Sequence, residues 1–319
     1  MPIDLYIPEL SWLCSSAALR QRHSALETLI SRAQVQPDVD EHAVLAKAFG
    51  MRPGFGVAPF MRLAETGNAD SSFIFRADPV HLAPDRDRLV MLPLAVMQVL
   101  ESEASALADC FNRLYLSEGF VLETPDPQRW YLRMPEAIRC ETFPPSRVSG
   151  GPVLEFMPHG EHAWRLRQLM NEIQMLFHGQ PVNLSREAEG RPCINSLWLW
   201  GGGFLPDDPI HGPDSVLTDL PLVTGLARIA GCACADWNAI WRAPPAGETQ
   251  LIATQCSNEH ELAYLEEHLA GPLLQAIQHG TVDELLIYPG DRCGYRVTRS
   301  SSRRFWCRRR PLADVLQSS

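Results

Sequence analysis

Two spacings of apolar residues alternate along the chain, and an element begins or ends where one gives way to the other. Ile3 to Ile7 reads as a short strand. From Ser15 to Gln34, Leu19, Leu26, Leu29 and Ile30 recur at helical spacing until Pro37 closes the run. Asp40 and Gly50 stand where an N-cap and a C′ residue belong, which predicts a second helix over Glu41 to Phe49. Two prolines and two glycines between Arg52 and Pro59 predict a loop. Phe73 to Arg76 predicts a strand running into Ala77-Asp78-Pro79-Val80-His81-Leu82, where Pro79 should end regular pairing and leave polar groups at the strand end.

Pro93 to Glu118 predicts a long helix stopped by Gly119, and Phe120 to Leu132 a hairpin around Thr124-Pro125-Asp126-Pro127. Ser146 to Pro152 reads as a linker. Trp164, Leu166, Leu169, Met170, Ile173, Leu176 and Phe177 make one apolar face of a helix over Glu161 to His178, with Gly179 as its stop. Ile194 to Trp200 predicts a strand that drops into Gly201-Gly202-Gly203. Helices follow at Ser215 to Ala230 and Glu259 to His279, with a strand at Glu284 to Tyr288 and a terminal hairpin of Tyr295 to Thr298 and Arg304 to Arg308. Strands alternating with helices through the second half predict an α/β three-layer sandwich with an additional α+β section. The expected division is 1–70 as the first part of the α/β domain, 71–150 as an α+β insertion-like section, and 151–319 as the main α/β domain.

Length and composition narrow the function. With 319 residues, 45% of them hydrophobic and 21% charged, the chain buries a large core. A net charge of −10 argues against a general nucleic-acid or anionic-membrane role. The longest apolar stretch, Leu89 to Leu100, is interrupted by Pro93 and falls short of a membrane span. Asp4 and Glu9 break the opening segment, so no signal-peptide pattern is present and a cytoplasmic protein is expected. Nine scattered cysteines without a C-x-x-C pair read as reduced thiols, and Cys232-Ala-Cys234 is too tight for ordinary zinc spacing. Arginines crowding Phe305-Trp306-Cys307 read as charged protection of an edge strand, with phosphate or RNA binding as the alternative.

The densest chemistry lies between Pro181 and Gly203. Backbone N–H groups of Gly201, Gly202 and Gly203 could cradle an anion. Arg186 and Arg191 could fork onto a carboxylate or phosphate, Asn183 and Asn195 could meet hydroxyls, and Trp200 borders the glycines. Asp78 and His81, at a strand end, are candidates to join them. The plainer reading, that the glycines make a tight turn and the tryptophans fill a core, is favoured by spacing alone. Asp207, Asp208, His211 and Asp214 have the residue types of a Mn or Zn site, in a proline-rich segment that also reads as a surface loop.

The run Pro-Val-Asn-x-x-Arg-Glu-x-x-Gly from Pro181, Asn-Ser-Leu-Trp-Leu-Trp-Gly-x-Gly from Asn195, and Gly225-Leu226-Ala227-Arg228-Ile229-Ala230-Gly231 resemble the archaeal-type cofactor-independent phosphoglycerate mutases of the alkaline phosphatase superfamily. Ala77 to Leu82, Arg129 to Leu132 and Asn171 to His178 extend the resemblance to a bacterial group described as RpfE-type regulatory proteins. The enzyme resemblance implies two metal ions held by aspartates and histidines, with a Ser or Thr nucleophile. This sequence departs from that pattern: no glycine follows Asp4 where the family has Asp-Gly, and Asp291-Arg292 stands where it has Asp-His. Arginine has no lone pair for a cation. The expectation is therefore a regulatory or ligand-binding protein with no cofactor, taking a small anionic metabolite. A partner protein on the Trp-rich segment and an active mutase or phosphatase with Mn or Zn in a rearranged site are the alternatives.

Overall fold

Alternation along Pro2–Tyr6 sorts the first strand between two layers: Ile3 and Leu5 enter a large apolar core, and Asp4 between them faces the other side. The computed structural model describes residues 2–16, 21–39, 41–85, 88–148, 152–237 and 250–316. Asp40, Leu19 and the middle of the expected linker at 146–152 lie outside these. In chain order the strands are β1 (Pro2–Tyr6), β2 (Gln34–Gln36), β3 (Phe73–Val80), β4 (Leu82–Asp85), β5 (Arg88–Met91), β6 (Val121–Asp126), β7 (Arg129–Met134), β8 (Ser196–Gly203), β9 (Ser215–Thr218), β10 (Ala233–Ala235), β11 (Gln250–Ala253), β12 (Glu284–Tyr288) and β13 (Gly294–Thr298).

The chain forms two units, 1–54 with 208–319 and 55–207, so residues 151–207 group with the α+β section. In the first unit the strand order is β10-β9-β11-β1-β12-β13-β2. Its first five strands are parallel, and β13 and β2 are added antiparallel. Ile3, Leu5, Leu217, Ile252, Leu285 and Ile287 pack on one face with helices Leu10–Ser16, Ser24–Ser31, Gly271–His279 and Leu312–Leu316. Helix Glu41–Ala48 lies over the opposite face, where Asp4, Leu251 and Leu286 point. Helices on both faces of a mostly parallel sheet give the expected α/β layering.

The second unit is an antiparallel sheet, β6-β7-β3-β8, with the hairpin β4-β5 beside it. Phe75, Ala77, Leu132, Leu197 and Leu199 pack on one face against helices Glu101–Tyr115 and Ala163–Phe177. Gly179 takes φ +73 just past the second of these helices, the left-handed stop that glycine makes cheap.

Several expectations change. β3 continues through Pro79, because β7 pairs only with Phe73–Arg76 and leaves the proline on an open side. β8 runs on through Gly203 instead of turning. Ser215–Thr218 is a strand, and the helix starts only at Pro221, whose fixed φ suits a first turn. Arg304–Arg308 is not a strand; β2 occupies the edge of β13 that such a hairpin would need. The helix expected from Pro93 begins at Glu101, where the Glu103 carboxylate accepts the Leu100 N–H at 2.9 Å. Among the described residues no helix is long and apolar enough to cross a membrane.

Candidate functional site

The other face of the second unit's sheet is built from charge. In β3 the residues Arg76 and Asp78 share a face with Tyr131 of β7 and Trp200 of β8, because register places Arg76 opposite both Tyr131 and Trp200. Asp78 accepts from the Arg76 guanidinium and, at 2.6 Å, from the indole Nε1 of Trp200. Arg76 also donates to the Tyr131 hydroxyl at 3.4 Å, and that hydroxyl donates to Glu65 at 2.8 Å. The Arg76 guanidinium carbon lies 5.2 Å from the Tyr131 ring centre and 5.8 Å from that of Trp200, within cation–π reach. Arg76, Asp78 and Tyr131 are buried, while Trp200 is half-buried. Arg76 keeps one buried donor, Nε, with no hydrogen-bond partner among the described residues.

Helix Ala58–Thr66 adds more pairs to this face. Arg62 forks onto Glu123 with donor distances of 2.5 and 2.9 Å, and Glu65 takes Arg129 as well as Tyr131. Burial, with Glu65 alongside, pushes the Tyr131 phenol well above its ordinary range, so it stays a neutral donor. A lone arginine inside an apolar strand gave no sign in the sequence that it would be buried among aromatic rings.

The residues expected to hold an anion take up positions inside the fold. Asn183 donates to the Phe177 and Ile194 carbonyls and accepts the Ile194 N–H, each within 2.9 Å. Arg186 is fully buried and donates to the Pro192 and Met97 carbonyls and to Glu103. Arg191 bridges Glu103, Glu189 and the Gln98 carbonyl. Burial alone would raise Glu103, but the Leu100 N–H and the two guanidiniums outweigh it, and the carboxyl titrates below its usual range. Asn195 pairs with both backbone groups of Leu82, and His81 Nδ1 lies 2.8 Å from the Cys193 carbonyl. The glycines meet close backbone and rings: a Cβ on Gly202 would fall 2.3 Å from Phe75, and one on Gly201 2.6 Å from Val57. Of the predicted set, the structure brings Asp78 and Trp200 together around Arg76.

Asp207, Asp208, His211 and Asp214 are exposed. Among the described residues no three His, Cys, Asp or Glu side chains gather closely enough to hold a metal ion. Asp291, where the resemblance places a ligand, has both oxygens engaged: Oδ1 accepts the Cys293 N–H at 3.0 Å and Oδ2 the Tyr295 hydroxyl at 2.6 Å.

No family model matches the chain. A probable 2,3-bisphosphoglycerate-independent phosphoglycerate mutase from Geobacter sulfurreducens is 31% identical over 174 residues, covering 52% of this chain and 43% of that protein. The scaffold is phosphoglycerate-mutase-like. A 2,3-bisphosphoglycerate-independent phosphoglycerate mutase from Methanothrix thermoacetophila is 32% identical over 102 residues, 30% of this chain and 25% of that one. The matched stretch thus spans less than half the length of either curated relative. The solved PH0037 protein from Pyrococcus horikoshii is 14% identical, covers 93% of this chain and 87% of its own, and has a TM-score of 0.50, a likeness of fold. The phosphoglycerate-mutase-like scaffold therefore carries a charged sheet face in its second unit.

Proposed function

We propose that this phosphoglycerate-mutase-like scaffold serves as a regulatory, RpfE-type ligand-binding protein that takes a small anionic metabolite without two-metal phosphoryl transfer. The observation that carries the reading is Arg76: a guanidinium held by Asp78 beside a half-buried Trp200, with its Nε donor uncommitted among the described residues. Guanidinium is the side chain best shaped for carboxylate and phosphate, and a donor stripped of water is strengthened by the low dielectric around it. Asp78 and Trp200 hold the group in place, and an acid arriving beside Trp200 gives Nε its acceptor. Calorimetric titration of the full chain with 3-phosphoglycerate tests this. Saturable binding that Arg76→Met removes, with the variant still folded by circular dichroism, is expected; unchanged binding in that variant would rule the site out.

The second reading is an active mutase or phosphatase using Mn or Zn, and its support is the identity to proteins named as mutases. Stoichiometric metal in the purified protein, together with turnover of 3-phosphoglycerate, separates it from the first.

A further inference from the structure

The first unit holds a pocket of about 330 Å³ that the reading above leaves unused. Its floor is the sheet face away from the main apolar core, where register sets Asp4 of β1 between Leu251 of β11 and Leu286 of β12. Lys47 and Val44, from helix Glu41–Ala48, form the opposite wall, and Tyr288 and the segment before β9 complete it.

Asp4 is out of place as a structural residue. Strands at the centre of parallel sheets are covered on both faces and carry aliphatic side chains almost throughout. Here the central strand carries a carboxylate between two leucines, and that carboxylate accepts no hydrogen bond from the described residues. Burial lifts its carboxyl to about 6, opposed in part by the positive charge of Lys47. At neutral pH the group is mostly ionised, and it faces the pocket. Lys47 is the chain's single lysine, is exposed, and has no ion pair among the described residues. Its ammonium is a compact charge on a flexible four-carbon stem that lines the pocket.

The pocket therefore offers an anion at its floor, a cation at its wall, and aliphatic carbon between. The Asp4 carboxylate at the floor disfavours a dianionic ligand such as a phosphate ester. We propose that this pocket binds a free aliphatic α-amino acid, with its ammonium on Asp4, its carboxylate on Lys47 and its side chain against Leu251, Leu286 and Val44. A volume of about 330 Å³ lies at the small end of the range of small-molecule sites and suits a ligand of this size.

Calorimetric titration of the full chain with L-leucine, isopentylamine and 4-methylpentanoate separates the two ends of the ligand. Saturable binding of L-leucine, with each one-ended analogue at least tenfold weaker, is expected. Asp4→Asn keeps the shape of the floor and should weaken L-leucine at least tenfold. Lys47→Met, at an exposed position, should weaken L-leucine but leave isopentylamine unchanged. Absence of saturable binding by both L-leucine and L-valine would overturn the proposal, as would an Asp4→Asn variant that binds L-leucine like the wild type. Thermal unfolding separates lost binding from lost fold, because a structural role predicts a destabilised Asp4→Asn chain and a ligand role predicts one at least as stable.

Discussion

The indole N–H of Trp200 donates to Oδ2 of Asp78 at 2.6 Å, joining residues 122 positions apart across β3 and β8. The same carboxylate neutralises Arg76, so three residues of the charged face depend on one another. Asp78→Asn removes the counter-charge of a buried guanidinium, and breaking such a pair costs about 3–5 kcal/mol. Urea unfolding should show that loss. Trp200→Phe, which removes one hydrogen bond to a charged group, should cost about 1.5–3 kcal/mol.

Arg186 is predicted to behave as a structural residue. Its donors serve two carbonyls and Glu103 from a fully buried position, so Arg186→Met leaves those acceptors unpaired and should lower stability by about 3–5 kcal/mol in the same assay. Binding of 3-phosphoglycerate per folded molecule should be unchanged. A variant that stays stable while losing the ligand would return Arg186 to the binding site.

The glycine run makes a packing prediction. Gly202→Ala sets a methyl against the Phe75 ring and should destabilise the protein by about 1–3 kcal/mol through overpacking. Phe75→Leu in the same chain should recover part of that loss, read as a non-additive double-mutant cycle. An additive pair would mean that the ring is not the obstacle.

Stability should respond to pH through Asp4 with a definite sign. Its carboxyl titrates near 3.8 when unfolded and near 6 when folded, so the folded chain holds the proton more tightly. Below about pH 3.8 both states are protonated and the site costs nothing. As pH rises from 3.8 to 6 the unfolded chain releases its proton first, and stability falls by up to about 3 kcal/mol, at 1.36 kcal/mol per unit. Asp4→Asn should therefore match the wild type at pH 3 and exceed it above pH 7 in chemical denaturation.

What the sequence revealed follows from the range of the forces involved. Helix Ala163–Phe177, the β6-β7 hairpin and β1 were legible because periodicity and turn residues act over a few positions. In the sequence pattern β9 merges with the following helix although Pro221 marks the boundary, since four residues are too few to display a period of their own. β8 looked finished at its glycines because the reason for them, Phe75 and the segment at 56–57, comes from distant chain. Arg186 resembled a ligand residue because its counter-ion, Glu103, is 83 positions away. The sequence marks Asp78 and Trp200 as candidates but not Arg76, which links them, since a strand pattern alone does not fix which face its side chain takes.

Phosphorus NMR of 3-phosphoglycerate mixed with the full chain and Zn²⁺ reads binding and conversion in one sample. A protein that binds but does not transfer phosphoryl groups should broaden or shift the 3-phosphoglycerate resonance in the wild type, leave it unperturbed in Arg76→Met, and produce no 2-phosphoglycerate signal. Growth of the 2-phosphoglycerate resonance at catalytic protein concentration would contradict the account.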